Sequence, residues 1–192
     1  MGRIEDLASR YQSHISAPWQ RNLAGAQRTI FVVHDKADER KLRAKLELFE
    51  LHTRQAGCGW KLFDFTCTFA RWMAAMDPGY RQAYFEVPSD LASKLQPENN
   101  EFAHYAAAEL RKVLTADDVT ADTVVAVHGV ASLFGFTKAS LVLEEVKHDI
   151  RGRLVLFFPG EFDNNNYRLL DARDGWSYLA VPITLHSGAL EQ

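Results

Sequence analysis

The stretch Leu154-Val-Leu-Phe-Phe-Pro-Gly-Glu-Phe-Asp163 decides the fold of this chain. Its first five residues are apolar, the run ends at Pro159-Gly160, and two acids follow at Glu161 and Asp163. An unbroken apolar run that ends at a Pro-Gly pair is typical of a strand buried on both faces of a sheet. The turn after such a strand is expected to bring the two acids to the carboxyl end of the sheet, where open α/β folds bind ligands and partners.

Other apolar runs are interpreted as further strands, and helical patterns separate them. The runs cover residues 29–34, 60–65 and 123–128, and residues 176–183 are expected to form an edge strand, because Pro182 has no amide hydrogen to donate. Strands that alternate with amphipathic helices favour a three-layer α/β fold. We therefore predict a mostly parallel sheet of about five strands, Rossmann-like or degenerate P-loop-like.

The chain of 192 residues is predicted to form a single α/β domain, 1–192. An N-terminal helix is expected within residues 1–24, where apolar residues recur at helical spacing until Pro18. One helix is expected to begin after Asp35 or Asp38 and to end at Gly57, and a helical insertion is expected over residues 80–120, which carry no strand pattern.

Bulk properties argue against several classes of protein. The net charge is −3, from 22 basic and 25 acidic residues, so no basic excess points to nucleic-acid binding. No segment reaches the roughly 18 apolar residues of a membrane span, and no secretory signal opens the chain. A cytoplasmic protein is expected, with Cys58 and Cys67 as buried thiols that lack the spacing of a metal site.

One segment has the position of a phosphate-binding loop but not its residues. Gly129 to Ser140 follows a strand and precedes a helix, yet Lys138 is not directly preceded by glycine, as the Gly-Lys-Ser/Thr motif requires. We do not expect ATP hydrolysis or any bound cofactor here. The segment is interpreted as a strand-to-helix connection with Leu133 and Phe134 tucked beneath it.

Polar residues at the predicted strand ends form a second candidate site. Parallel strands are expected to bring His34, Asp35, Asp64, His128 and Glu161 toward one edge. Imidazoles and carboxylates together can bind a divalent metal or act as a general base with its orienting acid. The favoured interpretation is structural: Asp35 and Asp64 cap helices, and Glu161 belongs to a turn.

Aromatic residues near turns are candidates for a protein interface or for the core. They are Tyr80, Tyr84, Phe85, Tyr167, Trp176 and Tyr178. Arg168 is the strongest single candidate for an interface, because its guanidinium can pair with a carboxylate of a partner. Asp171 or Glu161 of the same chain could accept the same pairing.

The segment from Leu156 to Leu170 resembles the hallmark of the BrxB family. Its sequence is Leu-Phe-Phe-Pro-Gly-Glu-Phe-Asp followed by Asn-Asn-Asn-Tyr-Arg-Leu-Leu. The resemblance extends to residues 35–42 and to residues 124–130, so it spans most of the chain. Phe162 stands where the family pattern more often has tyrosine. BrxB proteins are encoded in bacteriophage-exclusion (BREX) defence operons.

The resemblance implies a non-catalytic accessory or adaptor protein of anti-phage defence. The implied partners are a PglZ-like protein with a phosphatase fold and the large ATPase BrxC. The motif residues that could form the interface are Phe158, Pro159, Gly160, Glu161, Phe162, Asp163, Tyr167, Arg168 and Asp171. For Pro159-Gly160-Glu161 a role in defining the fold is favoured over a role in binding. Two alternatives are a small metal- or nucleotide-dependent hydrolase that uses the strand-end residues, and a nucleic-acid-binding subunit.

Overall fold

The computed structural model describes residues 2–20, 22–172 and 175–185. The strands are β1 (Thr29–His34), β2 (Gly59–Asp64), β3 (Thr123–His128), β4 (Arg153–Asp163), β5 (Asn166–Leu169) and β6 (Val181–Ile183). The helices are α1 (Arg3–Ile15), α2 (Glu39–Arg43), α3 (Leu46–Gln55), α4 (Thr68–Ala75), α5 (Pro78–Glu86), α6 (Pro88–Leu91), α7 (Glu101–Leu114) and α8 (Ala139–Val146). Short 3-10 helices cover Ala26–Arg28, Lys36–Asp38, Ala92–Leu95, Pro97–Asn99 and Val130–Leu133.

The strands form one sheet with the order β2-β3-β4-β1-β6, in which all neighbours are parallel. β5 lies off this path and pairs antiparallel with the end of β4. The predicted α/β class with a mostly parallel sheet is confirmed. The predicted edge strand is confirmed as β6, which pairs with β1, although it covers only Val181–Ile183.

β4 lies between β3 and β1 and is buried on both faces, as the apolar run predicts. Leu154, Leu156 and Phe158 contribute to the cluster on one face, which includes residues of α4, α7 and α8. Val155 and Phe157 contribute to the cluster on the other face, which includes residues of α1, α2 and α3. Successive side chains of a strand point to opposite faces, so one unbroken apolar run serves both clusters.

The helix predicted between Asp35 and Gly57 is divided into a 3-10 helix, α2 and α3. Lys45 leaves helical geometry (φ −123°, ψ 15°), and its ammonium group contacts Glu5 of α1. The predicted N-terminal helix is present as α1, and α5, α6 and α7 lie in the predicted helical insertion. In the described parts of the chain, no helix is long and apolar enough to cross a membrane.

The two thiols are less buried than predicted. Cys67 is exposed at the position that precedes α4, and Cys58 is half-buried. The prediction of a buried Cys67 is wrong because neighbouring Phe65 takes the core position there and Cys67 faces solvent.

Candidate functional site

The motif segment forms a β-hairpin that stands on the carboxyl edge of the sheet. β4 continues past its parallel neighbours, and Gly160–Asp163 pairs antiparallel with Asn166–Leu169. Asn164 (φ 48°) and Asn165 (φ 61°) connect the strands, and positive φ at both central residues is typical of a tight hairpin turn. The prediction of a turn at Pro159-Gly160-Glu161 is wrong, because β4 continues through these residues to Asp163. The turn lies instead at Asn164-Asn165, where two asparagines between strand-like segments are a recognised signal for a hairpin.

An aromatic cluster anchors the hairpin to the sheet. The ring centroid of Phe31 on β1 lies 4.3 Å from that of Tyr167 and 5.3 Å from that of Phe158. Trp176 and Tyr178 pack on the same Phe31 ring. The Tyr167 hydroxyl donates a hydrogen bond to the carbonyl of Ala180 at 3.2 Å. The hairpin is therefore held at a fixed position relative to the strand ends.

The predicted interface residues separate into a buried set and an exposed set. Phe158, Pro159 and Tyr167 are buried, so they belong to the core and not to a contact surface. Gly160 and Phe162 are half-buried. The exposed residues of the hairpin and its exit are Glu161, Asp163, Arg168 and Asp171. The interface prediction therefore rests on these charged residues alone.

The charges of the hairpin are arranged in pairs. Arg168 lies opposite Glu161 across the two strands, with 3.8 Å between the Arg168 Nη1 and Glu161 Oε2 atoms. Asp171 pairs instead with Lys36, just beyond β1. The Asp163 carboxylate accepts a hydrogen bond from the Asn164 side chain next to it.

The other interface candidates also differ in exposure. Trp176 and Tyr178 are half-buried against the core beside Tyr167. Tyr80 and Phe85 on α5 are exposed, with 68% and 66% of their surface accessible to solvent. Tyr84 of the same helix packs against the core. Aromatic residues close to turns in sequence are thus divided between the core and the exposed surface.

The strand-end residues form two separate groups instead of one. Asp64 on β2 is in register with His128 on β3, whereas His34 on β1 is in register with Pro159 of β4. Because β4 lies between β3 and β1, the two histidines are two strands apart. Glu161 lies further out, on the hairpin. Across residues 2–20, 22–172 and 175–185, no three His, Cys, Asp or Glu side chains are arranged to hold a metal ion.

The group at β1 is an ion-pair network within the chain. The His34 Nε2 atom donates to the Glu39 carboxylate at 2.7 Å, and Arg43 Nε donates to the same carboxylate at 2.9 Å. Burial alone would raise the pKa of Glu39, but the hydrogen bonds from His34 and Arg43 outweigh burial and lower this pKa. Asp35 accepts a hydrogen bond from the amide of Ala37 and so caps the following 3-10 helix, as predicted.

The group at β2 and β3 contains an unsatisfied imidazole. His128 Nδ1 is buried without a hydrogen-bond partner, and the 3.6 Å that separates it from Asp64 Oδ1 is too long for a hydrogen bond. Asp64 Oδ1 instead accepts from the amide and hydroxyl of Thr66. The prediction that Asp64 caps the next helix is wrong, because α4 begins two residues after Thr66 and its N-cap is Cys67. Burial lowers the pKa of His128, although the Asp64 carboxylate opposes this effect. Burial therefore favours the neutral form of this imidazole.

A cleft of about 560 Å³ lies beside the hairpin. It is bounded by the ends of β1 and β6 and by Gly160–Asp163. Its charged lining residues are Arg3, Asp35, Lys36, Glu161, Asp163 and Asp171. Lys36 is paired with Asp171, and Arg3 lies close to Asp35 and Asp38. The acids outnumber the bases, so the cleft is acidic.

The connection from β3 to α8 does not have the shape of a phosphate loop. Residues 130–133 form a 3-10 helix, and Gly135 (φ 84°) turns the chain toward α8. Leu133 is buried as predicted, but the prediction for Phe134 is wrong, because 47% of its surface is exposed. The ring lies just before the turn at Gly135 and points away from the core.

Comparison of the chain with protein-family models, with curated proteins and with solved structures found no match.

We expect the free energy of unfolding to decrease as the pH falls below 6.5, the ordinary pKa of histidine. In this range the imidazole of residue 128 binds a proton more readily in the unfolded chain than in the folded chain, where His128 is buried. Acid therefore favours unfolding. Urea denaturation at several pH values between 7.5 and 5 measures the decrease. His128→Gln should make it smaller, and His148→Gln, at an exposed position, should not. Equal slopes for the His128 variant and the unchanged chain would contradict the prediction.

Proposed function

We propose that this protein is a non-catalytic accessory protein of a BREX-type anti-phage system and binds a PglZ-like protein through its hairpin. One observation carries the proposal. The segment that resembles the BrxB hallmark has Phe157, Phe158 and Tyr167 buried and its charged residues, Glu161, Asp163 and Arg168, exposed at the edge of the sheet. Exposed charges on an ordered scaffold suit recognition of a protein surface with the complementary charge pattern.

The rigidity of the hairpin supports a binding role. Pairing of β4 with β5 and packing of Tyr167 on Phe31 fix the backbone before any partner arrives. A preordered surface loses less conformational entropy on association than a flexible loop does. The buried residues of the motif therefore fix the positions of its exposed charged residues, which are the proposed binding residues.

Three of the strand-end residues make contacts within the chain, which supports a binding role, whereas His128 keeps an unpartnered Nδ1 atom. His34 is hydrogen-bonded to Glu39, Asp35 caps a 3-10 helix, and Asp64 accepts from Thr66. These groups make contacts that hold the chain together at the sheet edge. The exposed charges of the hairpin have weaker contacts, such as the 3.8 Å pair between Glu161 and Arg168.

Reversal of the hairpin charges tests the proposal. We expect the double variant Glu161→Arg/Arg168→Glu to keep the cross-strand pair and the fold while it reduces recovery of a co-expressed PglZ-like protein by about tenfold or more, which corresponds to about 1.4 kcal/mol. The measurement is a tagged pull-down from cells that express the whole operon, with co-purifying proteins quantified by mass spectrometry. The same experiment shows whether BrxC is recovered as well.

The matched control reverses a similar ion pair elsewhere. Glu50 and Arg54 form an i,i+4 pair on the surface of α3, at 2.8 Å. Glu50→Arg/Arg54→Glu should leave recovery unchanged. Equal recovery with the hairpin variant and the unchanged chain would reject the hairpin as the interface. Recovery of the chain alone at every salt concentration would reject the adaptor role and direct attention to His128 and Asp64, as the hydrolase alternative requires.

A further inference from the structure

A second concave surface adjoins the end of β5 and shares no described lining residue with the acidic cleft. This groove has a volume of about 390 Å³ and runs between the β3–α8 connection, the end of β5 and the 3-10 helices before α7. Its apolar walls include Leu95, Pro97, Phe134, Leu141, Leu169 and Trp176. We refer to it as the Phe134 groove.

The wall formed by the β3–α8 connection is rigid. The Phe136 ring stacks on Phe69 of α4, with 3.8 Å between ring centroids. The Asn100 side chain donates to the carbonyls of Phe136 and Leu95 and accepts from the amide of Ala103. Asn100 is buried, and it ties both walls of the groove to the start of α7. The groove is therefore formed before any ligand binds.

The described lining of the groove carries one charge, and it is positive. It belongs to Lys138, whose side chain forms no ion pair or hydrogen bond with any described residue. It precedes α8 at the N-cap position, and no side chain caps this helix. The positive end of the helix dipole therefore adds to the charge of Lys138.

We infer that the Phe134 groove binds a short segment of a partner protein that carries a large apolar side chain next to a carboxylate. The apolar side chain would fill the space between Phe134, Leu169 and Trp176, and the carboxylate would pair with Lys138. Shape complementarity selects the apolar side chain, and charge complementarity selects the carboxylate. The inference rests on the proposed adaptor role, because a protein that links components needs a contact surface besides the hairpin.

A pair of probes that differ only in charge tests the inference on the isolated chain. We expect N-acetyl-leucyl-phenylalanine, with a free carboxylate, to bind about threefold to tenfold more tightly than its C-terminal amide. Titration of the ¹⁵N-labelled chain followed by NMR measures both affinities. The shifted signals should be the amides of residues 134–141 and the indole of Trp176.

Two variants and one control separate the contributions of charge and shape. Lys138→Gln should make the two affinities equal, and Phe134→Ala should weaken both probes. Lys147→Gln, near the other end of α8, should leave the ratio unchanged. Signals that shift outside the groove only, or equal affinities of both probes for the unchanged chain, would overturn the inference. This outcome would leave the hairpin proposal intact, because the pull-down with charge-reversed hairpin variants does not involve Lys138.

Discussion

Replacement of Phe158 by alanine is expected to lower the free energy of unfolding by about 3–5 kcal/mol. The Phe158 side chain is completely buried where β4 leaves the sheet, and its ring packs on Phe31 and Tyr167. Its removal leaves a cavity that the paired backbones of β1 and β4 prevent from closing. Domains of this kind are stable by only about 5–15 kcal/mol, so a large share of the stability should be lost.

Urea denaturation of the unchanged chain and of the variant measures this loss. Phe134→Ala is the matched control, since it removes the same ring from an exposed position and should change the stability by about 0.5 kcal/mol or less. Similar losses for the two variants would show that the Phe158 ring contributes no more than a surface residue, contrary to the packing described above.

Replacement of Gly160 by alanine is expected to destabilise the protein by about 1–3 kcal/mol and to separate the hairpin strands. A Cβ atom at this position would lie 2.0 Å from the carbonyl oxygen of Arg168. The obstacle is the backbone of β5, so no side-chain rotation can relieve the overlap. The strands must move apart, and the hydrogen bonds between them weaken.

The Gly160 variant needs a control for the general effect of glycine substitution. Gly79 lies in the first turn of α5, and the nearest atom to an added Cβ is a carboxylate oxygen of Asp77 at 3.1 Å. Gly79→Ala should be neutral or stabilise by up to about 1 kcal/mol, because alanine favours helix. Hydrogen exchange of the amides at 160–169 should become faster in the Gly160 variant alone. Unchanged exchange there would contradict the expected separation of the strands.

The Phe158 and Gly160 variants also separate the role of the motif in folding from its role in binding a partner. Phe158 and Gly160 position the hairpin from within, whereas Glu161 and Arg168 lie on its surface. We expect Gly160→Ala to reduce partner recovery together with stability. The charge-reversed hairpin should reduce recovery at nearly unchanged stability, because exposed pairs contribute only about 0–1 kcal/mol.

Parts of the candidate site could be recognised from the sequence, and others could not. His34, Asp64 and His128 were expected at strand ends, and each does end a strand. Their separation into two groups depends on β4 lying between β3 and β1, which is a pairing of segments far apart in the chain. Phe134 was expected beneath its loop and is exposed, because the local pattern does not show which of two adjacent apolar residues faces the core.

The sequence by itself determined the fold class, the buried strands and the N-terminal helix, because hydrophobic periodicity and chain-breaking residues act over a few neighbouring positions. Only the tertiary structure decided the strand order, the hairpin on the sheet edge and the Phe134 groove. These features depend on contacts between residues such as Phe31 and Tyr167, which are distant in sequence, and local patterns carry no information about which distant segments pair.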